Sequence, residues 1–282
     1  MEHYSINFCK KNNDRFLEVG FPNLERNYVF FDRQEKNYLK FYSKKTHCEN
    51  ERKALLFYEE FDLAPPLVYE AELCNCIGAL QGTNGEECCA SINNYYKLGL
   101  ALKKLHTYSL AHLRKQVSTN NKFSNECYQL ERMRWFRLKE KILSCYPSLW
   151  EKEIDVAEDL LLTFFREKCY PIVLCHNDYC SRNVLFFDGR ISGIIDFEKA
   201  SFSDPAADLS TIIIKEFRSQ KLLNFFQAYS LEGNWATTQR VMYYALFKAF
   251  EIVTWAEKKD NAFFTKAVDF LTDWELLYDF LQ

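Results

Sequence analysis

The chain has little glycine and proline, and it lacks the features that mark membrane proteins. Glycine and proline number 8 and 6 in 282 residues, which excludes collagen-like and low-complexity chains. No apolar run approaches the ~20 residues that a membrane-spanning helix needs. The first residues lack the apolar core of a signal peptide. We therefore expect a cytoplasmic protein with no membrane partner.

An excess of charge of one sign is also absent. The formal net charge is −3 at pH 7 and the isoelectric point is about 6.0, so no global basic bias attracts nucleic acid. Hydrophobic residues make up 48% and aromatic residues 17% of the chain. This composition is typical of a globular protein with a substantial core, and we expect no nucleic-acid partner.

Cysteine is abundant but lacks the pattern of a metal site. The chain has 11 cysteines, and the nearest approach to a motif is Cys74-Asn75-Cys76 followed by Cys88-Cys89. The spacing and the paired histidines of zinc sites are missing. We expect reduced thiols, many of them buried as small hydrophobic side chains.

The pattern of residues divides the chain into two parts. Residues 28–31 and 37–42 are β-rich runs separated by a polar turn, which indicates a hairpin. An amphipathic helix is predicted over 49–61. Turn-forming residues cluster at 81–85, and the chain beyond them is mostly helical. The sequence predicts an α+β fold with a small β-rich lobe over 1–82 and a larger, mainly α-helical lobe over 83–282.

The most informative stretch is HNDYCSRN at 176–183, followed by Asp196 in the run GIIDFE. In kinase chemistry one Asp positions the substrate hydroxyl and accepts its proton, an Asn holds Mg²⁺, and a second Asp bridges metal and phosphates. Hydrophobic segments on either side predict a strand, a loop and a strand. This hairpin would bring Asp178, Asn183 and Asp196 to one end. The alternative is an ordinary β-hairpin with polar turns.

Residues 173–210, with LGLALKKLH at 98–106, resemble the aminoglycoside phosphotransferase and choline kinase-like family of the protein-kinase-like fold. The resemblance implies two lobes with the active site in the cleft between them. It implies Asp178 as the catalytic residue, Asn183 and Asp196 as Mg²⁺ ligands, and ATP or GTP as co-substrate. The sequence departs from the family at Asn177, where Gly is more usual. Glu198 stands where protein kinases have Gly.

The same resemblance assigns roles in the N-terminal lobe, which would bind the nucleotide. Gly20 and Asn23 match the loop that covers the phosphates. Lys40 matches the lysine that contacts the α- and β-phosphates, although a solubilising lysine on an edge strand is an alternative. Glu51 matches the glutamate that pairs with this lysine. Glu49 is its competitor. A spacing of two residues puts Glu49 and Glu51 on different sides of a helix, so both cannot pair with the lysine.

The predicted function is a small-molecule kinase that transfers the γ-phosphoryl group of ATP or GTP to a hydroxyl, with an aminoglycoside-type antibiotic as acceptor. A cationic acceptor would suit an acidic cleft rim. The C-terminal region offers seven acidic residues for such a rim, and they equally suit a solvated helix face: Glu251, Glu257, Asp260, Asp269, Asp273, Glu275 and Asp279. Two alternatives stay open. One is a kinase of choline, a sugar, homoserine or an amino-alcohol, and the other is a nucleotide-binding module without turnover.

Overall fold

The computed structural model describes residues 5–19, 27–88, 91–116, 120–164, 171–230, 235–256 and 262–281. The chain forms two compact units. The first unit comprises Met1–Cys88 with His176–Ser201, and the second comprises Cys89–Cys175 with Phe202–Gln282. The stretch with the kinase-like motif is therefore packed with the N-terminal residues. The functional lobe boundary at 82/83 stays a prediction.

The first unit is built on a five-stranded antiparallel sheet of order β1-β2-β3-β5-β4. Its strands are β1 (Phe16–Val19), β2 (Tyr28–Asp32), β3 (Asn37–Phe41), β4 (Leu67–Ala71) and β5 (Cys74–Gly78). The predicted hairpin is confirmed, since β2 pairs with β3 in a register that places Asp32 opposite Asn37. The turn between them closes through Lys36 at φ 57°.

The two faces of this sheet differ in chemistry because successive side chains of a strand point to opposite faces. One face packs beside α1 (Ile6–Lys11) in a hydrophobic core formed by Cys9, Phe16, Phe30, Leu39, Phe41, Cys74 and Cys76. The other face carries the buried polar side chains Lys40 and Asn75, which lie on adjacent strands. Contacts from this face reach α2 (Lys45–Phe57).

The cysteines behave as small hydrophobic residues. Eight cysteines whose side chains the structure describes are free thiols, and most of them are buried: Cys9, Cys48, Cys74, Cys76, Cys88, Cys145, Cys175 and Cys180. Burial raises the pKa of the Cys9 and Cys76 thiols to about 11 and that of Cys74 to about 12. These thiols stay protonated at neutral pH and are poor nucleophiles.

A second, three-stranded sheet carries the motif residues. Its order is β6-β8-β9, with β6 (Thr83–Asn84) followed by the short helix α3 (Gly85–Cys88). The predicted strand-loop-strand is present. β7 (Val173–Cys175) leads into the loop, and β8 (Val184–Phe187) pairs with β9 (Arg190–Ile194) after it. β7 itself pairs with β10 (Ser201–Ser203).

The second unit is helical. Its described helices are α4 (Ile92–Gln116), α5 (Asn120–Cys145), α6 (Glu151–Phe164), α7 (Ala206–Glu216), α8 (Gln220–Tyr229), α9 (Trp235–Trp255), α10 (Ala262–Thr272) and α11 (Glu275–Leu281). Gly99 lets α4 approach α8 closely, because a Cβ there would lie 2.3 Å from the Phe225 carbonyl oxygen. No helix in the described ranges combines the length and apolarity of a membrane span.

Helix α4 extends beyond the segment LGLALKKLH, which ends at His106. The helix continues to Gln116, and no glycine or proline interrupts the intervening sequence. His106 is buried within it, with Nε2 2.9 Å from Asp208 Oδ2 and Nδ1 2.7 Å from the Tyr229 hydroxyl. A buried polar side chain with partners on two helices has a structural function.

The β2–β3 turn depends on a buried ion pair. Arg15 donates to Asp32 through Nε at 3.1 Å and Nη2 at 2.8 Å, and the Gln34 N–H donates to Asp32 Oδ1 at 2.9 Å. Burial works to raise the pKa of the Asp32 carboxyl, but Arg15 and the turn N–H groups hold it below its ordinary value. The carboxylate form therefore stabilises the fold.

We expect Asp32→Asn to lower the free energy of unfolding by about 1.5–3 kcal/mol at pH 7, the usual range for hydrogen bonds to a charged group. The wild-type advantage should be complete above the ordinary carboxyl pKa of about 3.9 and should shrink as the pH falls through the lower folded-state pKa. Urea unfolding of both proteins from pH 7 to pH 3 measures this. A stability difference that does not change with pH would contradict the ion-pair explanation.

Candidate active site

His176 fixes the loop that runs from His176 to Asn183. It is buried, and its Nδ1 accepts from the Asp178 backbone N–H at 3.3 Å while Nε2 lies 2.9 Å from the Ile195 carbonyl oxygen. Because Nδ1 accepts, the ring proton is on Nε2 and is donated to Ile195. His176 thus ties the loop to the end of β9.

Asn177 replaces the more usual Gly at a position with left-handed backbone geometry, φ 59°. Asn tolerates this region better than most residues. Its side chain also makes contacts that Gly could not, since Nδ2 donates to the Lys199 carbonyl at 2.9 Å and to Ser201 Oγ at 2.8 Å. The substitution therefore joins the loop to the segment that follows Asp196.

Asp178 has one oxygen near two cationic side chains. Oδ2 lies 3.3 Å from Lys199 Nζ and 3.8 Å from Arg182 Nη2. The side chain is 16% exposed, and Oδ1 accepts no hydrogen bond from any residue within the described ranges. Lys199 and Arg182 therefore orient Oδ2, and Oδ1 is available to a hydroxyl group.

Asn183 and Asp196 are brought together by the hairpin. Asn183 ends a 3₁₀ turn (Ser181–Asn183), and its Nδ2 donates to the Asp178 carbonyl at 2.9 Å. The Ile195 N–H donates to the Asn183 carbonyl at 2.9 Å. Asp196 follows directly, at φ 69° with its side chain 35% exposed. The Asn183 amide oxygen and the second Asp196 oxygen have no hydrogen-bond donor among the described residues.

Lys40 is the centre of the charge cluster. Its Nζ lies 2.8 Å from Glu51 Oε2 and 3.1 Å from Glu198 Oε2, and it donates to Asp196 Oδ1. Burial alone would lower the pKa of Lys40, but the surrounding carboxylates raise it well above its ordinary value. Burial likewise works to raise the pKa of Asp196, and Lys40 holds it below its ordinary value. Both groups are charged at neutral pH.

The structure distinguishes the two candidate glutamates. Glu51 is buried on α2 and contacts Lys40, and its Oε1 also accepts from the Phe197 backbone N–H at 2.9 Å. Glu49 lies on the surface side of α2, 3.9 Å from Lys45. The edge-strand alternative for Lys40 is excluded, because β3 lies between β2 and β5 and Lys40 is buried. Gly20 and Asn23 lie outside the described residues.

Sequence reasoning missed several contacts of this site. Glu198 joins Lys40, and its Oε2 also accepts from Asn27, which lies near the end of the predicted phosphate loop in the sequence. Lys199 reaches Asp178. The sequence signal for these contacts was that Glu198 and Lys199 lie close to Asp196 along the chain. Sequence spacing does not show in which direction their side chains point. Sequence reasoning also left Asn75, an amide within the apolar run of β5, without a role.

The family model described as "Phosphotransferase enzyme family" matches residues 20–242. The chain belongs to this phosphotransferase family. The match includes Lys40, Glu51 and the whole loop with Asp178, Asn183 and Asp196. No curated protein matches the chain significantly.

Solved structures similar to this family member share its fold. The streptomycin–ATP ternary complex of APH(2'')-IIa has a TM-score of 0.63 at 15% identity, covering 95% of this chain and 96% of that one. A thermostable mutant of aminoglycoside phosphotransferase APH(4)-Ia with AMP-PNP and hygromycin B gives 0.64 at 16%, covering 93% and 92%. A choline/ethanolamine kinase family protein from Mesorhizobium loti gives 0.61 at 16%, covering 93% and 87%. The expected protein-kinase-like fold is confirmed.

The contacts of Asn177 predict how two replacements differ. Asn177→Ala should cost about 1–2 kcal/mol from the left-handed backbone alone, in addition to the lost side-chain hydrogen bonds. Asn177→Gly loses the same hydrogen bonds without the backbone strain, so it should be the milder change. Chemical unfolding of the three proteins measures both effects. Equal destabilisation by Ala and Gly would show that the left-handed geometry is not important here.

Proposed function

We propose that this protein is a Mg²⁺-dependent kinase that transfers the γ-phosphoryl group of ATP or GTP to a hydroxyl of a small cationic acceptor. The observation that carries the proposal is the linkage of Lys40 to Glu51 and Asp196, next to a loop that presents Asp178 and Asn183. A nucleotide-binding module without turnover is disfavoured, because no charged group of this set is replaced.

Nucleotide binding is assigned to the Lys40 side. The ammonium is charged and held by Glu51, which suits contact with the α- and β-phosphates. Relatives with the same fold carry ATP or AMP-PNP in their complexes.

The donor set of Asn183 and Asp196 fits a hard divalent cation. It offers one amide oxygen and one carboxylate oxygen that accept no hydrogen bond within the described ranges, and Asp196 is ionised. Mg²⁺ prefers oxygen ligands and keeps several waters, so two protein ligands and phosphate oxygens suffice. Bound there, the metal would neutralise charge that develops on the transferred group.

Asp178 is assigned to the acceptor. Its available oxygen orients the acceptor hydroxyl and accepts the hydroxyl proton as the new O–P bond forms. The bond from the γ-phosphorus to the bridging oxygen breaks, and the nucleoside diphosphate leaves. A loose transition state needs little basicity, so positioning is the larger contribution. Lys199 and Arg182 hold the other Asp178 oxygen and offer positive charge beside the site.

The acceptor class rests mainly on the relatives, which bind streptomycin or hygromycin B. We propose an aminoglycoside-type antibiotic, and resistance as the consequence. Three of the predicted acidic residues are paired within the chain: Glu251 with Lys248, Asp273 with Arg218 and Glu275 with Lys152. The solvated-face interpretation therefore suits these three. Glu257 and Asp260 lie outside the described residues.

Asp178→Asn should lower kcat by at least about a hundredfold, the scale typical of losing general acid–base participation. The Kd of the Mg-nucleotide should change little, because Asp178 does not contact Lys40, Glu51 or Asp196 in the described structure. Coupled ADP or GDP release, with aminoglycosides, choline, sugars and amino-alcohols as acceptors, measures turnover. Asp188→Asn, in the exposed turn between β8 and β9, is the matched control. Near-normal turnover of Asp178→Asn would refute the catalytic assignment.

Asp196→Ala should abolish the metal-dependent part of nucleotide binding. The reason is that it removes the charged metal ligand and a partner of Lys40 together. Calorimetric titration of ATP and GTP with Mg²⁺, and again with EDTA, separates the two contributions. An affinity for the Mg-nucleotide equal to that of the wild type would show that Asp196 is not the metal ligand.

A further inference from the structure

A buried polar network lies beneath Lys40 on the α2 side of the large sheet. Asn75 on β5 is the direct cross-strand partner of Lys40 and is fully buried. Its Nδ2 donates to the Tyr42 hydroxyl at 3.1 Å and to the Cys48 carbonyl at 3.2 Å, and its Oδ1 accepts from Arg52 Nη2 at 3.1 Å. Both amide protons and the carbonyl oxygen are therefore used.

Tyr42 transmits this arrangement to Glu51. Its hydroxyl accepts from Asn75 and donates to Glu51 Oε2. The direction is fixed, because Asn75 Nδ2 can only donate and an ionised carboxylate can only accept. Burial and the nearby negative charge of Glu51 raise the pKa of Tyr42. The hydroxyl therefore keeps its proton and remains a donor.

Glu51 carries the effect to the candidate active site. Its Oε2 accepts a hydrogen bond from the Tyr42 hydroxyl and pairs with the Lys40 ammonium. Its Oε1 accepts from the Phe197 N–H, next to Asp196. A single orientation of the Glu51 side chain thus positions both the Lys40 ammonium, the proposed phosphate contact, and the backbone beside Asp196, the proposed metal ligand. A different orientation of Glu51 would break the contacts on both sides.

Arg52 holds the far end of the network. It pairs with Glu70 on β4 at 2.9 Å, donates to the Ala71 carbonyl, and also reaches Asn75. Arg52 is the neighbour of Glu51 on α2, so this attachment fixes the helix position at that turn. Through this attachment Arg52 helps to hold the turn of α2 that carries Glu51.

We propose that Tyr42 and Asn75 are positioning residues, which hold Glu51 so that Lys40 meets the nucleotide phosphates without reorganisation. The inference rests on the proposed function. Its physical basis is that an oriented charge binds a ligand more tightly when no ordering is needed at the moment of binding. Stability alone does not explain the network, because buried polar groups are often replaced by apolar ones at no cost.

Tyr42→Phe is the main test, since it removes a single oxygen and keeps the ring. The expected result is an increase of about tenfold in the Kd of Mg-ATP or Mg-GTP, equivalent to about 1.4 kcal/mol. Tyr69→Phe is the matched control. It makes the same chemical change in the same sheet, on the face that packs with the hydrophobic core, and its nucleotide Kd should equal that of the wild type.

A double mutant separates positioning from general destabilisation. In a Lys40→Met background Tyr42 has no ammonium to position, so adding Tyr42→Phe should change the nucleotide Kd less than about twofold. A full tenfold loss in that background would overturn the inference. Asn75→Ser acts one step earlier and provides a second variant if Tyr42→Phe does not fold. Its loss of affinity should be smaller, because Tyr42 can still donate to Glu51.

The outcomes distinguish this inference from the proposed function. If the wild type binds Mg-ATP or Mg-GTP and Tyr42→Phe binds it equally well, the positioning inference fails alone. If Tyr42→Phe only lowers the melting temperature, the network is structural and the inference also fails. If the wild type binds neither nucleotide, both the proposed function and the inference are overturned.

Discussion

The buried ammonium of Lys40 is the interaction on which the first unit depends. A lysine inside a sheet is costly unless opposite charges surround it, and here Glu51, Asp196 and Glu198 do so. These three carboxylates come from α2 and from the segment after β9, so the ion cluster draws distant parts of the chain to β3. One ammonium does not balance three carboxylates. The excess negative charge supports the proposed divalent cation at Asp196.

The loop beside this cluster relies on two non-glycine residues with left-handed backbone, Asn177 and Asp196. Such geometry persists only where surrounding contacts determine it. Asn177 is held by hydrogen bonds to Lys199 and Ser201, and Asp196 is held by Lys40. At these two positions the left-handed geometry points the side chains in directions that regular structure would not give them.

Features that depend on neighbouring residues in the chain could be predicted from the sequence. The β2–β3 hairpin followed from its alternating residues and polar turn, and the strand-loop-strand from the motif and its apolar flanks. The resemblance favoured Glu51, but setting Glu49 aside needed the rotation of α2, which spacing alone does not give. Tyr42 and Asn75 meet only because of the register between β3 and β5. Cross-strand register depends on tertiary packing, so their contact was beyond a reading of the sequence.

The two ends of the proposed reaction are constrained to different degrees. Phosphate groups and metal ions require a few residue types at set positions. A motif for their binding can therefore be recognised even at low sequence identity. The predicted acidic rim is a count of residues in the sequence, and a count does not give the electrostatic potential that an acceptor would meet. Glu251, Asp273 and Glu275 are each paired with a basic side chain of the chain itself. Because each pair offsets the charge of its carboxylate, these three residues add little attraction for a polycation, and its selection would depend on other groups of the chain.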